Sequence, residues 1–337
     1  MMNKPFDEPT MRGHSGSRYY EGRKVFGGRF LLQRRIGRGG MGEVWLAQDA
    51  ELSQSRAIKF LPPEIAADER AVGQLRREAR AGMELAHPRI VRTNDFYSEG
   101  DDAAVVMEYV EGRTMSALQA HKEEGFLEVP GIEGWIVDVV EALRYAHGEM
   151  GRVHRDIKPQ NVMVEKATGR AKLMDFGISR RISDTHTMLT GADATGTLAY
   201  SSPQQVIGKS PSAADDIYSL GATIYDLLTG TPPFFRGDLR MQVEKTTPPS
   251  MSDRRQELVE GSVIGGVGEV IPEAWERLVT SCLSKDPAGR PRSMDEFVAL
   301  MEGRATPPGA VVAPPALPPA VKPQLDPVPE PPAPQPE

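Results

Sequence analysis

The apolar rhythm of this 337-residue chain changes once along its length, and that change limits the folds open to it. The segments "RFLLQRRIGRGGMGEVWLAQD", "SRAIKFL" and "DDAAVVMEYVEG" read as short strands around turns, with one amphipathic helix, "ERAVGQLRREARAGMELA", between the second and third. From about Arg113 the period becomes helical. Trp135, Ile136, Val139, Val140, Leu143 and Ala146 share one face of "GIEGWIVDVVEALRYAHGEM", and "DDIYSLGATIYDLLTG" and "AWERLVTSCLSK" are similarly apolar. A single hydrophobic core usually stops growing beyond about 250 residues. The expectation is an α+β, two-lobed molecule: a small β-rich lobe over residues 28–110, a larger helical lobe over 113–303, and a cleft at their junction.

The two ends read differently. Residues 1–27 are polar, mixed in charge and without period, which predicts a flexible arm. Residues 304–337 hold 13 of the chain's 29 prolines, too many for helix or sheet, and predict a disordered, extended tail. Such a tail serves as a spacer or docks in a polyproline-reading groove.

The net charge of −7 gives no whole-chain attraction to nucleic acid. No run approaches the ~18 apolar residues of a membrane span, and the N-terminus lacks the apolar middle of a signal peptide, so the chain is expected to be cytoplasmic, with no membrane segment. The single cysteine, Cys282, forms no internal disulfide and is read as a small buried apolar residue.

Chemistry concentrates at the junction. "IGRGGMGEV" carries Gly37, Gly39 and Gly42 between two strand-like segments, where glycines let backbone N–H groups approach an anion without a Cβ in the way. The following "EVWLAQD" is β-like, against a dinucleotide fold, and no Gly-Lys-Ser/Thr ending marks a P-loop. Lys59 lies in the apolar strand "AIKFL" and needs an anionic partner, a phosphate or Glu78 of the helix, unless its head snorkels to water. "VHRDIKPQNVMV" packs His154, Arg155, Asp156, Lys158 and Asn161 between apolar flanks, and "KLMDFGISR" places Asp175 at a strand end. Asn161 and Asp175 are oxygen donors suited to magnesium beside phosphate. Asp156 can accept a proton from an attacking hydroxyl while Lys158 offsets charge on the moving group.

In this order the motifs resemble the protein kinase family, a set that is also a standard worked case of phosphoryl transfer. After the glycine loop, "AIK", Glu78, "HRDIKPQN" and "DFG" come "GTLAYSSPQQ", "DDIYSLG" and "GRP". The wording "GRGGMGEVWLA", "HPRIV" and "HRDIKPQNVM" is most similar to the bacterial eukaryotic-like serine/threonine protein kinases. The resemblance implies ATP with Mg2+, or Mn2+ in its place, and protein substrates with Ser or Thr acceptors. It implies that Lys59 holds phosphates and pairs with Glu78, that Asp156 is the base, that Lys158 contacts the γ phosphate, and that Asn161 and Asp175 bind the metal. It also implies nucleotide contacts from Ile36, Gly37, Gly39, Gly40, Gly42, Val44, Ala57 and Met163, with Met107 as gatekeeper and Glu108 to Val110 as hinge. Dimerisation through the small lobe, seen in some members, is left open.

By the same mapping Arg155 and Arg180 form a basic pocket for a phosphate on the segment after "DFG". Thr187 or Thr190, then Thr185, are the expected autophosphorylation sites. Gln204 stands where the family usually has a glutamate facing an arginine, here Arg290. Gly82, one turn beyond Glu78, either eases movement of that helix or allows close packing. A nucleotide-binding pseudokinase scaffold is the alternative reading, although Lys59, Asp156 and Asp175 are all kept.

Overall fold

The computed structural model describes residues 18–39, 42–176, 195–261 and 263–308. Gly40, Arg180, Thr185, Thr187 and Thr190 lie outside the described residues.

The N-terminal part is an antiparallel six-stranded sheet in the order β1-β2-β3-β4-β6-β5. Its strands are β1 (Lys24–Val25), β2 (Phe30–Gly39), β3 (Gly42–Asp49), β4 (Gln54–Phe60), β5 (Thr93–Glu99) and β6 (Asp102–Glu108). Alternation gives this sheet two apolar faces. Ile58, Phe60, Ala104 and Val106 point to an outer cluster, whereas Ala57, Ala103, Val105 and Met107 point inward. The inner face is covered by helices α1 (Pro63–Ala66) and α2 (Glu69–Met83). The Asp68 side chain caps α2 by accepting from the backbone N–H groups of Arg70 and Ala71, and Val72, Leu75 and Ala79 face the sheet.

The arm expected over residues 1–27 is shorter than that. From Arg18 onward the chain packs on the sheet: Tyr19, Val25 and Phe26 are buried in the outer cluster, and β1 pairs with β2 through Lys24↔Leu31 and Val25↔Phe30. Tyr19 and Phe26 sit among charged residues with no strand period, so their burial was not legible from pattern.

The C-terminal part begins with β7 (Gly112–Thr114), α3 (Met115–Gln119) and α4 (Val129–Gly148), followed by β8 (Val162–Glu165) and β9 (Ala171–Leu173). Strands β7, β8 and β9 form a small antiparallel sheet. Helices α5 (Thr195–Leu198), α6 (Pro203–Val206), α7 (Ala213–Thr229), α8 (Leu239–Lys245), α9 (Met251–Glu260), α10 (Glu273–Cys282) and α11 (Met294–Met301) complete it. Helix α7 is buried from Asp215 to Thr229 and ends at Gly230 with φ 87°. Cys282 packs on Gly221, where an added Cβ would come within 2.4 Å of the Cys282 Cβ, and burial pushes its thiol pKa up. Packing accounts for this cysteine, as its sequence context indicates. Among the described residues no helix is long and apolar enough to cross a membrane.

Arg290 is wholly buried. Its guanidinium donates to the carbonyls of Ser284 (2.9 Å) and Ala214 (2.9 Å) and to Gln204 Oε1 (2.6 Å), while Gln204 Nε2 donates to the Lys285 carbonyl (2.9 Å). The expected Gln204–Arg290 pair therefore forms, and the neutral amide uses both of its ends. Lys285 lies nearby over the Phe234 ring at 4.6 Å, and burial, with a smaller push from Arg290, brings its pKa down to about 8. Gln204→Ala should cost about 2 kcal/mol by leaving a buried guanidinium N–H without its best acceptor. Thermal melting should show this as a lower midpoint.

Candidate active site

The cleft between the two parts is built from a hairpin, a strand, a loop and a strand end. The β2–β3 hairpin pairs Gly37 with Val44 and Gly39 with Gly42, after register shifts at Leu32/Arg34 and Arg35/Gly37 that bend β2. Gly42 has φ 108°, and a Cβ there would fall 1.9 Å from the Phe60 carbonyl oxygen, so only glycine fits. Lys59, buried on the inner face of β4, donates from Nζ to Asp175 Oδ2 at 2.8 Å across the cleft. The lysine's need for an anionic partner is thus met from the other side of the cleft, a pairing the sequence reading did not anticipate. Glu78 lines a cavity of about 270 Å³ with Ala81, Gly82, Arg152, Arg155 and Phe176. Gly82 is buried there, beside the segment of Arg152, Val153 and Arg155.

The inner face of the sheet beside Lys59 is apolar. Ala57, Met107 and Val110 belong to the inner cluster, and Val44, Met163 and Met174 pack against it. Ile36 of β2, one residue before Gly37, is 38% exposed. Glu108, opposite Arg56 on β4, is ion-paired with Lys172 of β9 and accepts from the Arg92 backbone N–H. This joins the end of β6 to β9, the strand that leads to Asp175. Met174 was missed by sequence reasoning because one methionine among apolar neighbours carries no distinguishing pattern.

On the loop, the Asp156 carboxylate is 3% exposed and held at both oxygens. Lys158 Nζ donates to Oδ1 at 2.8 Å and Asn161 Nδ2 donates to Oδ2 at 2.8 Å. Lys158 also donates to Thr197 Oγ1 at 3.1 Å. Asn161 donates to the Asp156 carbonyl (2.7 Å), and its own carbonyl accepts from the Met174 N–H (2.9 Å), which brings the loop beside Asp175. The His154 ring accepts at Nδ1 from the Asp156 N–H (3.2 Å) and donates from Nε2 to the Met174 carbonyl (2.7 Å), which fixes its tautomer. It also meets Phe176 edge-on at 4.5 Å.

The loop is anchored from below. Asp216 of α7, with no exposed surface, accepts from the backbone N–H groups of His154 and Arg155, each at 2.7 Å, and from His147 Nε2 at 2.8 Å. The Arg155 carbonyl accepts from Gln205 Nε2 at 3.0 Å. These contacts hold Arg155 at φ 74°, a region non-glycine residues avoid. Asp175 is at φ 65°. The segment "DDIYSLG" is visible in the sequence, but nothing in it shows that Asp216 would receive this loop.

Asp156, Lys158 and Asn161 thus form one bonded set and Lys59 and Asp175 another, and the Met174 N–H bond to the Asn161 carbonyl brings the two together. Among the described residues no group of three or more His, Cys, Asp or Glu side chains could hold a metal alone. The Asn161 amide oxygen and the Asp175 carboxylate are hard oxygen donors and fit an ion that takes few protein ligands beside phosphate.

The family model described as the protein kinase domain matches residues 30–299. The chain is 39% identical over 281 residues to the serine/threonine-protein kinase PknB of Mycobacterium leprae, covering 80% of this chain and 42% of that protein. It is 36% identical over 287 residues to a Bifidobacterium longum protein named "Probable serine/threonine-protein kinase PknB", covering 80% of this chain and 39% of that one. The chain therefore spans well under half the length of these curated relatives. The crystal structure of the Mycobacterium tuberculosis PknI kinase domain superposes with a TM-score of 0.65 at 26% identity, covering 85% of this chain and 100% of that one. With a two-lobed α+β fold, its cleft residues in place and a family match over most of its length, the chain belongs to the protein kinase domain family.

Proposed function

We propose that this chain is an ATP-dependent serine/threonine protein kinase, moving the γ-phosphoryl group of ATP to Ser or Thr hydroxyls of proteins. The observation that carries this reading is the Asp156 carboxylate, buried yet bonded to Lys158 and Asn161 on one anchored loop that is hydrogen-bonded to Met174, the residue before Asp175, which pairs with Lys59. The acceptor oxygen attacks the γ phosphorus, its proton passes to Asp156, and the bond to the β-phosphate oxygen breaks to leave ADP. Lys158 neutralises charge on the group in transit, while Lys59 exchanges part of its contact with Asp175 for phosphate oxygens. Asn161 and Asp175 would hold Mg2+, which when bound supplies positive charge to the phosphate oxygens. Ile36, Val44, Ala57 and Met163 would enclose the adenine, and the backbone of Glu108 to Val110 would read its edge. Glu78 of α2 would be the carboxylate partner of Lys59, as the family motif implies.

Thr197 of "GTLAY" is consistent with a Ser or Thr acceptor, since its hydroxyl accepts from Lys158, beside Asp156. Regulation by phosphate follows the same reading: Arg155 and Arg180 would receive a phosphorylated Thr187 or Thr190, with Thr185 next. Substrate proteins would meet the enzyme in the cytoplasm.

Asp156→Ala should lower phosphoryl transfer by about 10²- to 10⁴-fold while ATP binding persists, read with γ-labelled ATP beside calorimetry. ATP binding without transfer by the wild-type protein would favour the pseudokinase reading. Mass spectrometry of the active enzyme should find phosphate on Thr187 or Thr190. Its absence across residues 183–195 would remove the autophosphorylation proposal.

A further inference from the structure

Residues 18–23 grip the outer face of the sheet at one place. The Tyr19 ring stacks on Phe60 with centroids 3.8 Å apart and planes at 23°. Its hydroxyl donates to Asp102 Oδ1 at 2.9 Å, Arg23 Nη2 donates to Asp102 Oδ2 at 2.8 Å, and Arg18 Nε lies 3.3 Å from the same carboxylate. Arg18 also donates to the Asp101 carbonyl at 2.7 Å. The guanidinium carbons of Arg18 and Arg23 stand 5.6 and 5.1 Å from the Tyr19 ring centroid. One short segment thus ties the end of β4, at Phe60, to the start of β6, at Asp102.

Phe60 lies between this grip and the cleft. It follows Lys59 directly, and because side chains alternate along a strand, fixing the Phe60 ring on the outer face fixes where Lys59 emerges on the inner one. Its carbonyl is packed against Gly42, close enough that no Cβ could intervene, so the position of Phe60 also sets the root of the glycine hairpin. Both groups that would meet the ATP phosphates, Lys59 and the hairpin, therefore rest on the residue that Tyr19 covers. Met107 and Met163 belong with the inner cluster, on the opposite face of the sheet from the outer cluster that holds Tyr19.

We propose that residues 18–23 are a positioning clasp for the phosphate half of the nucleotide site. Tyr19 and its anchor Asp102 hold Phe60, and through it Lys59 and Gly42, at the separation that ATP phosphates require. The proposal rests on the kinase reading for the identity of the nucleotide, and binding measurements test it without requiring turnover.

The test is calorimetric Kd for ATP and for adenosine, with Mg2+ in both, on the full chain as wild type, Tyr19→Leu, Tyr19→Phe and Asp102→Asn. Adenosine lacks phosphates and so ignores the clasp. Tyr19→Leu should weaken ATP by about tenfold and adenosine by less than about twofold; Tyr19→Phe, which keeps the stacked ring, should stay within about threefold of wild type for both. Equal weakening of ATP and adenosine would assign residues 18–23 a merely structural role and overturn the proposal, as would unchanged ATP affinity. If Tyr19→Leu does not fold, Asp102→Asn decides by the same ratio, because it removes the charge that pairs with Arg18 and Arg23 and holds the segment, pairs that Tyr19→Phe leaves in place. A wild type that binds ATP but transfers no phosphate would sink the kinase reading and leave the clasp result standing.

Discussion

The Asp216 carboxylate is the constraint from which the cleft is assembled. An ionised carboxylate without solvent is costly unless its oxygens are bonded, and here three donors from two segments converge on it. Its place in the first turn of α7 adds the favourable end of that helix's dipole. In return it holds the Arg155 backbone in a left-handed conformation that costs on the order of 1–3 kcal/mol. Arg155 and Asp156 are adjacent, so the turn imposed on one residue aims the next. The buried side of the C-terminal part thereby determines where a carboxylate faces the cleft.

From that anchor the contacts run outward in order. His154 meets Met174 and Phe176, Asn161 meets Met174 and Asp156, and Asp175 meets Lys59 on the opposite side of the cleft. Buried polar networks of this kind specify one arrangement only when every member is bonded, and Asp156 is held at both oxygens. The N-terminal part depends on a different constraint, the two apolar faces of one sheet. Its inner face meets α2 and the cleft, and its outer face is closed by residues that precede the sheet. Lys59 lies where these two systems meet, which makes its contact with Asp175 a property of how the two parts sit on each other.

Legibility followed chemistry more than packing. Lys59 stood out because a lysine in "AIKFL" has no apolar role, and Asp156, Lys158 and Asn161 because they crowd with His154 and Arg155 between apolar flanks. The strand-to-helix change along the chain was equally readable, since periods of 2 and 3.6 leave distinct traces. Tyr19 and Phe26 were lost in a polar stretch: two aromatic residues without a period look like an arm, and only the sheet surface beneath them shows otherwise. Asp216 lay in a quoted motif, but a carboxylate that receives backbone N–H groups from a loop some sixty residues earlier leaves no local signal. The Lys59–Asp175 pair was hidden for another reason: both residues were legible, while the choice among phosphate, Glu78 and Asp175 depends on the arrangement of the two parts.

The most direct test of this account is single-turnover phosphoryl transfer by Asp216→Asn beside its ATP Kd and its melting curve. Loss of the anchoring charge should let Arg155 leave its left-handed conformation and misplace Asp156, lowering the transfer rate by about a hundredfold with ATP affinity kept within about twofold. An unchanged transfer rate in a folded variant, or a loss of ATP affinity as large as the loss of rate, would contradict the claim that this carboxylate aims the catalytic loop.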